Sequence, residues 1–189
     1  MRLFSTKAHA QIQKSLIGYQ NIPWGTKLSS IKNKNPKLLI VDLCSNWPKG
    51  RELAKKEDFS CRRLVDKNFS ILSIKMELEF KFDFEEKLNL VTMEYTPNAL
   101  GFELNEIEKY CTETFDKLHH LIVTKYGDSL EVSNETPIFP YKKSEFKAWL
   151  PLPTEIWLAK SFGSEVNILS SCSVKINYRP RQHFDANKI

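Results

Sequence analysis

The residues best suited to chemistry in this chain lie together on one predicted helix. His119 and His120 are adjacent, and Asp116 precedes His120 by about one helical turn. An aspartate in that position can orient an imidazole as a base or share a metal with it. The sequence offers no identifiable third ligand and no His-Glu-x-x-His motif. A solvated helix face explains these residues better, so we expect no metal site and no cofactor.

Nucleophile and phosphate-binding motifs are missing as well. The sequence has no Gly-x-Ser-x-Gly segment, and the serines around Cys172 fall where a strand begins. Six glycines in the whole chain leave no glycine-rich loop that could cradle a phosphate. The sequence therefore predicts no catalytic residues, and we expect a protein that is not an enzyme.

The four cysteines do not have the spacing of a zinc site or a Cys-x-x-Cys redox pair. Cys44 and Cys61 flank a polar stretch, and a disulfide between them would contribute about 3 kcal/mol in an oxidising compartment. The sequence leaves that pairing open. Cys111 falls on the apolar face of a helix, which predicts a buried thiol in the core.

Composition indicates an ordinary globular protein. The 189 residues are 41% hydrophobic and 27% charged, which suits one domain over residues 1–189. No apolar run approaches the roughly 18 residues that a membrane span needs. The N-terminus also lacks the apolar centre of a secretory signal. We therefore expect a soluble protein without a membrane span, cytoplasmic as written, or periplasmic if the chain is a trimmed mature form.

Two elements that must form the framework stand out. In "SIKMELEFKFDF", apolar residues at every second position from Ile74 to Phe84 predict a strand with one wet face. The stretch "LNLVTMEY" returns antiparallel, and its apolar phase shifts near Leu90, which predicts a bulge there. A stripe of apolar residues three or four apart predicts a helix from about Glu103 to Tyr126, closed by Gly127.

The segment "NIPWGTK" is interpreted as a device that leads a strand into a helix. Pro23 biases Ile22 toward extended backbone, Gly25 permits a sharp bend, and Thr26 is a suitable N-cap. Trp24 then enters the core, and Pro36 ends the helix. Stacking of Trp24 on a ligand is the alternative interpretation.

Each half of the chain predicts the same order of elements, one helix and then three strands. These pseudo-repeats span residues 20–97 and 98–180. Neither unit could bury its helix and its sheet face well alone, so two units sharing one sheet would be the natural solution. The predicted fold class is α+β, with a curved antiparallel sheet and helices packed on one face; duplication of the helix-plus-three-strand unit is an option left open.

The segments "IPWGT", "FKFDFEEKLNLVTMEY", "LIVTKYGDS", "TEIWL" and "VKINYRP" follow one another in an order that is familiar. The chain resembles a loose group of small bacterial α+β proteins, often exported and mostly uncharacterised, that carry IPWG followed by Thr or Ser. The duplicated helix-and-strand order also resembles β-lactamase-inhibitor proteins and a small lipoprotein of the outer-membrane assembly machinery. The resemblance implies a binding module.

Charge is unevenly distributed along the chain. Residues 1–67 carry 14 Lys and Arg against 5 Asp and Glu, whereas the remaining residues carry 14 against 18. A basic segment with nearby aromatic residues is typical of nucleic-acid binding. The alternative function is therefore a nucleic-acid-binding accessory protein that uses the segment 49–67, with the candidate residues Lys49, Arg51, Lys55, Lys56, Arg62, Arg63 and Lys67.

Aromatic side chains on an open sheet face would suit a protein partner, because interfaces favour Trp and Tyr. The candidates are Trp149, Trp157, Tyr178 and Trp47. The core between the sheet and the helices competes for the same side chains. Our leading hypothesis is a non-enzymatic protein-binding module, such as an inhibitor, immunity or assembly factor of bacterial or phage origin.

Overall fold

The computed structural model describes residues 18–47, 49–97, 104–132, 143–150, 153–165 and 168–181. These residues form three helices and ten strands. The helices are α1 (Leu28–Lys34), α2 (Gly50–Lys56) and α3 (Leu104–Tyr126). The strands are β1 (Gly18–Tyr19), β2 (Ile22–Pro23), β3 (Leu39–Asp42), β4 (Arg62–Ile71), β5 (Ile74–Phe82), β6 (Leu88–Tyr95), β7 (Leu130–Val132), β8 (Lys143–Trp149), β9 (Thr154–Glu165) and β10 (Ile168–Pro180).

Eight of these strands form one antiparallel sheet, and β1 and β2 form a small separate hairpin. The order across the large sheet is β3-β4-β5-β6-β10-β9-β8-β7. The last strand of each half, β6 and β10, therefore pair at the centre. The α+β class with an antiparallel sheet is confirmed.

The strand registers define two faces. One row of paired residues crosses the sheet from Ile40 to Trp149. Of its interior members, Tyr178 is partly buried and the others are buried: Leu64, Phe80, Val91 and Ile156. Apolar side chains of α1 and α3 enter the same core, so this is the inner face. The neighbouring row from Leu39 to Leu130 includes Glu79, Asn177 and Trp157 and defines the outer face.

The predicted hairpin and its bulge are confirmed, but β5 ends at Phe82, and Phe84, the last apolar residue of the predicted strand, is exposed. Lys81 pairs with Leu90, but Phe82 pairs with Leu88, so β6 has one extra residue at this point. That insertion lets both Leu88 and Val91 point into the core, although they are three residues apart.

Helix α3 matches the predicted helix to within one residue. The buried stripe on it includes Ile107, Phe115 and Leu118. Gly127 adopts a φ of 84° and donates its N–H to the Val123 carbonyl, which ends the helix as expected. The expectation of a free thiol at Cys111 was wrong, because this buried cysteine is joined to Cys172 on β10. The helix is therefore tied covalently to the sheet it packs on.

The "NIPWGTK" segment does lead a strand into a helix, but Thr26 is not the N-cap. The Thr26 hydroxyl donates to the Pro23 carbonyl at 2.7 Å, and the cap position falls on Lys27 without a side-chain bond. The backbone N–H of Leu28 instead donates to the Glu86 carbonyl at 3.0 Å. A tertiary contact to the β5–β6 turn thus replaces the expected side-chain cap.

Trp24 packs against the core, as predicted. It also donates its indole N–H to the Thr154 hydroxyl at 3.0 Å. This bond anchors the N-terminal segment to β9.

Among the described residues, each half contributes one strand more to the large sheet than expected. Sequence patterns missed β4 and α2 in the first half and the short β7 in the second. The symmetric strand order is the one that two copies would produce, and duplication itself stays a prediction.

Candidate protein-binding surface

The four predicted aromatic contact residues lie in different environments. Trp149 is 2% exposed in the inner row, and its indole N–H donates to the Gly127 carbonyl at 2.9 Å. Tyr178 lies in the same row, and its ring packs edge-on to that of Tyr19 at 5.4 Å. Burial raises the pKa of the Tyr178 phenol, as a core position requires. Trp149 therefore belongs to the core, and Tyr178 is partly buried against it.

Trp157 lies on the outer face beside a charged group. The Arg179 guanidinium is 5.7 Å from the centre of the Trp157 ring and is also ion-paired with Glu155. The Trp157 indole N–H is enclosed and has no hydrogen-bond partner. This ring is half-buried, so it offers a partner only part of its area.

Trp47 belongs to a cluster that sequence reasoning missed. Leu39 is 53% exposed, Ile40 47%, Leu43 43% and Trp47 47%. These four residues, called the edge patch from here on, lie within nine positions on β3 and the turn that follows it. Large exposed apolar side chains grouped along one short segment are candidates for an interaction site in a soluble protein, although Leu39 and Ile40, as neighbours on β3, point to opposite sides of the strand.

The edge patch is held in place by a small core of its own. Cys44 and Cys61 form a disulfide, and both pack with the buried Ala54 of α2. Gly50 starts α2 directly against Trp47: a Cβ atom at Gly50 would lie 2.8 Å from the Trp47 ring. The patch is therefore seated on α2 through contacts that only glycine permits.

Short-range hydrogen bonds fix the turn that follows β3. The Cys44 N–H donates to the Asp42 carboxylate at 2.8 Å, and the Ser45 hydroxyl donates to the Asp42 carbonyl at 3.1 Å. The Trp47 N–H donates to the Cys44 carbonyl at 3.2 Å. The patch is thus a preformed surface rather than a loose loop.

The free edge of β3 is nearly closed to another strand. Leu43 donates its N–H to the Cys61 carbonyl, so the odd-numbered residues bond to β4 and the even-numbered ones face outward. The outward carbonyl of Leu38 accepts from the Lys32 ammonium at 2.6 Å, and that of Asp42 accepts from Ser45. Within the described chain, this leaves little beyond the backbone of Ile40 for strand addition.

The basic residues of the alternative function do not form one continuous surface. Arg62 donates to Glu86 at 2.7 Å, and Arg63 is ion-paired with Glu79 on the outer face. Lys67 borders a shallow depression of about 440 Å³ at the other end of the sheet. The remaining four, Lys49, Arg51, Lys55 and Lys56, are exposed on or beside α2.

Charge on the outer face is largely neutralised. Burial alone would raise the pKa of Glu79, but hydrogen bonding and attraction from Arg63 and Lys81 outweigh it, so the pKa lies below its usual value. Glu94 accepts from Lys175 at 3.1 Å and from the Ser173 hydroxyl at 2.8 Å. These paired charges leave the outer face with little net attraction for a charged partner.

His119 and His120 lie in different surroundings on α3. His119 stacks on Phe115 with 6.3 Å between ring centres and lies 5.7 Å from Trp149, whereas His120 and Asp116 face solvent. No three His, Cys, Asp or Glu side chains converge to hold a metal ion among the residues that the structure describes.

Of the described helices, none is long and apolar enough to cross a bilayer. Comparison of the chain with protein-family models, curated proteins and solved structures finds no significant match. The similarity to the IPWG-containing group and to inhibitor proteins therefore stays a prediction.

Proposed function

We propose that this chain is a non-enzymatic protein-binding module and that the edge patch is its contact surface. The observation that carries the proposal is the exposure of Leu39, Ile40, Leu43 and Trp47 within one rigid segment. An inhibitor, immunity or assembly factor of bacterial or phage origin is the kind of module we have in mind.

The energetics of the patch support this role. Its four side chains are each about half exposed, so covering them would contribute roughly 1 kcal/mol per side chain. The disulfide and the bonds to Asp42 have already fixed the segment, so binding would lose little conformational entropy there. The patch also includes Trp47, and tryptophan is one of the residue types enriched at interface hot spots.

Nucleic-acid binding is the second candidate. Two exposed features near α2 favour it. The Trp47 ring could stack on a base, and the cations of α2 could pair with phosphates. It is weakened by the engagement of Arg62 and Arg63 in ion pairs with Glu86 and Glu79. The aliphatic members of the patch also have no counterpart in a phosphate backbone.

A pull-down from nuclease-treated lysate of the source cells tests the proposal, with retained proteins identified by mass spectrometry. The test variant is L43D/W47D, and the matched control is L72D/L130D, which changes two other exposed apolar residues in the same way. Losing two half-exposed contacts should cost about 2 kcal/mol, roughly 30-fold in Kd. The proposal would be contradicted if L43D/W47D and the control reduced the amount of retained protein equally. It would also be contradicted if nuclease treatment abolished the retention.

A further inference from the structure

We infer that the partner presents an apolar groove with acidic walls, into which the edge patch inserts as a ridge. The inference rests on the proposed function and specifies the chemistry of the partner. It follows from the charge around the patch and from the directions in which its side chains point.

The chain on both sides of the patch is cationic. Residues 32–56 carry seven Lys and Arg against two Asp and Glu. Asp42 is already 3.4 Å from the Arg51 guanidinium, which leaves Glu52 as the other acid in this range. Lys34, Lys37, Lys49 and Lys55 are exposed and form no ion pair with another described residue. A carboxylate-rich partner would complement these ammonium groups.

The shape of the patch favours a groove over a flat surface. Leu39 belongs to the outer row of the sheet and Ile40 to the inner row, so their side chains point to opposite sides of the β3 edge. A flat lipid bilayer would cover one of these sides at a time. A groove covers both, with its floor against the strand and its walls beside the lysines.

A second copy of this chain does not fit the same requirements. Its edge patch would bring the same excess of cations against those of the first copy. The capped carbonyls of Leu38 and Asp42 also remove most of the ladder that edge-to-edge pairing of two β3 strands would use. The acidic groove must therefore come from a different protein.

The test uses the protein that the pull-down identifies, purified and titrated against the full chain. The charge-reversal variants are K34E/K37E and K49E/K55E, and the matched control is K109E/K117E on the exposed side of α3. We expect each of the two charge-reversal variants beside the edge patch to weaken Kd about tenfold or more, mainly through a slower association rate, and the control to change Kd less than threefold. For the wild type, raising NaCl from about 50 to 500 mM should weaken Kd by a similar factor.

Three results would overturn the inference. The first is a purified partner that binds the reversed variants as tightly as the wild type while still losing affinity for L43D/W47D; the proposed function would then survive without the acidic groove. The second is co-sedimentation of the chain with vesicles of 7:3 phosphatidylcholine to phosphatidylserine and no captured protein. The third is self-association by analytical ultracentrifugation that depends on Trp47. If no protein is retained through the edge patch, the proposed function fails as well.

Discussion

Removing the disulfide beneath the edge patch should destabilise the protein by a calculable amount. Cys44 and Cys61 are 17 positions apart, and closing a loop of that length contributes about 3 kcal/mol to folding in the chain-entropy description. Because domains of this size are stable by about 5–15 kcal/mol, the C44A/C61A variant should remain folded but lose a large share of its stability.

The loss should be concentrated around the patch. Cys44 and Cys61 belong to a small cluster with Ala54 and Phe59 that is separate from the main core. Without the covalent link, residues 43–60 should open more often than the central strands, and their amide hydrogens should exchange faster. The C111A/C172A variant is the matched comparison, since its loop of 61 positions predicts a loss of about 4 kcal/mol in the main core instead.

Guanidinium unfolding followed by tryptophan fluorescence measures the free energy, and hydrogen exchange locates the opening. Reduction should lower the free energy of unfolding of the wild type. When both proteins are reduced, neither has a disulfide, so the free energies of unfolding of wild type and C44A/C61A should be nearly equal. An unfolding curve for C44A/C61A that overlays the oxidised wild type would refute the reasoning. So would unchanged exchange in residues 43–60.

Three further changes test other parts of the structure. Because the native pKa of Glu79 lies below its unfolded value of about 4.3, its ion pairs stabilise the fold above that pH and are lost as the pH falls through the lower native pKa; E79Q should therefore be less stable than wild type at pH 7, and the two should converge in acid once the pH is below the native pKa of Glu79. Substituting Gly127 by alanine forces a side chain into a φ of 84° and should cost about 1 kcal/mol in thermal unfolding, whereas unchanged stability would mean that α3 ends differently. W24F removes the indole bond to Thr154 while keeping an aromatic ring, and chemical denaturation should report a loss of about 1 kcal/mol; unchanged stability would mean that this bond does not stabilise the fold.

Elements governed by short-range patterns were predictable from the sequence. The alternation from Ile74 to Phe82 and the stripe on α3 both follow periods that one face of a strand or helix imposes. Even the bulge near Leu90 was visible, because the extra residue shifts the apolar phase.

The missed elements are those whose pattern tertiary contacts interrupt. β4 carries a register shift between Asp66 and Phe69, so its apolar residues never keep a period of two for long. Thr26 has the residue type of an N-cap, yet the β5–β6 turn supplies the acceptor for Leu28 from 58 positions away in the chain.

The edge patch could not be predicted because its exposure depends on strand order. The run "KLLIVDLC" reads as a buried strand, and Leu39 and Ile40 would be buried in the middle of a sheet. They are exposed because β3 is the outermost strand among the described residues, which give it β4 as its single neighbour in the sheet. The sequence did not decide whether Cys44 pairs with Cys61. The possibility of that disulfide was the feature of the sequence that indicated a rigid segment here.

Site-specific photo-crosslinking tests the central claim most directly. A p-benzoylphenylalanine in place of Leu43 should, on irradiation in nuclease-treated lysate, give one discrete cross-linked protein. The same group in place of Leu130, which is more exposed than Leu43 but lies on the opposite edge strand, should give none. Cross-links of equal intensity at both positions, or cross-links at position 130 alone, would contradict the assignment of the edge patch as the contact surface.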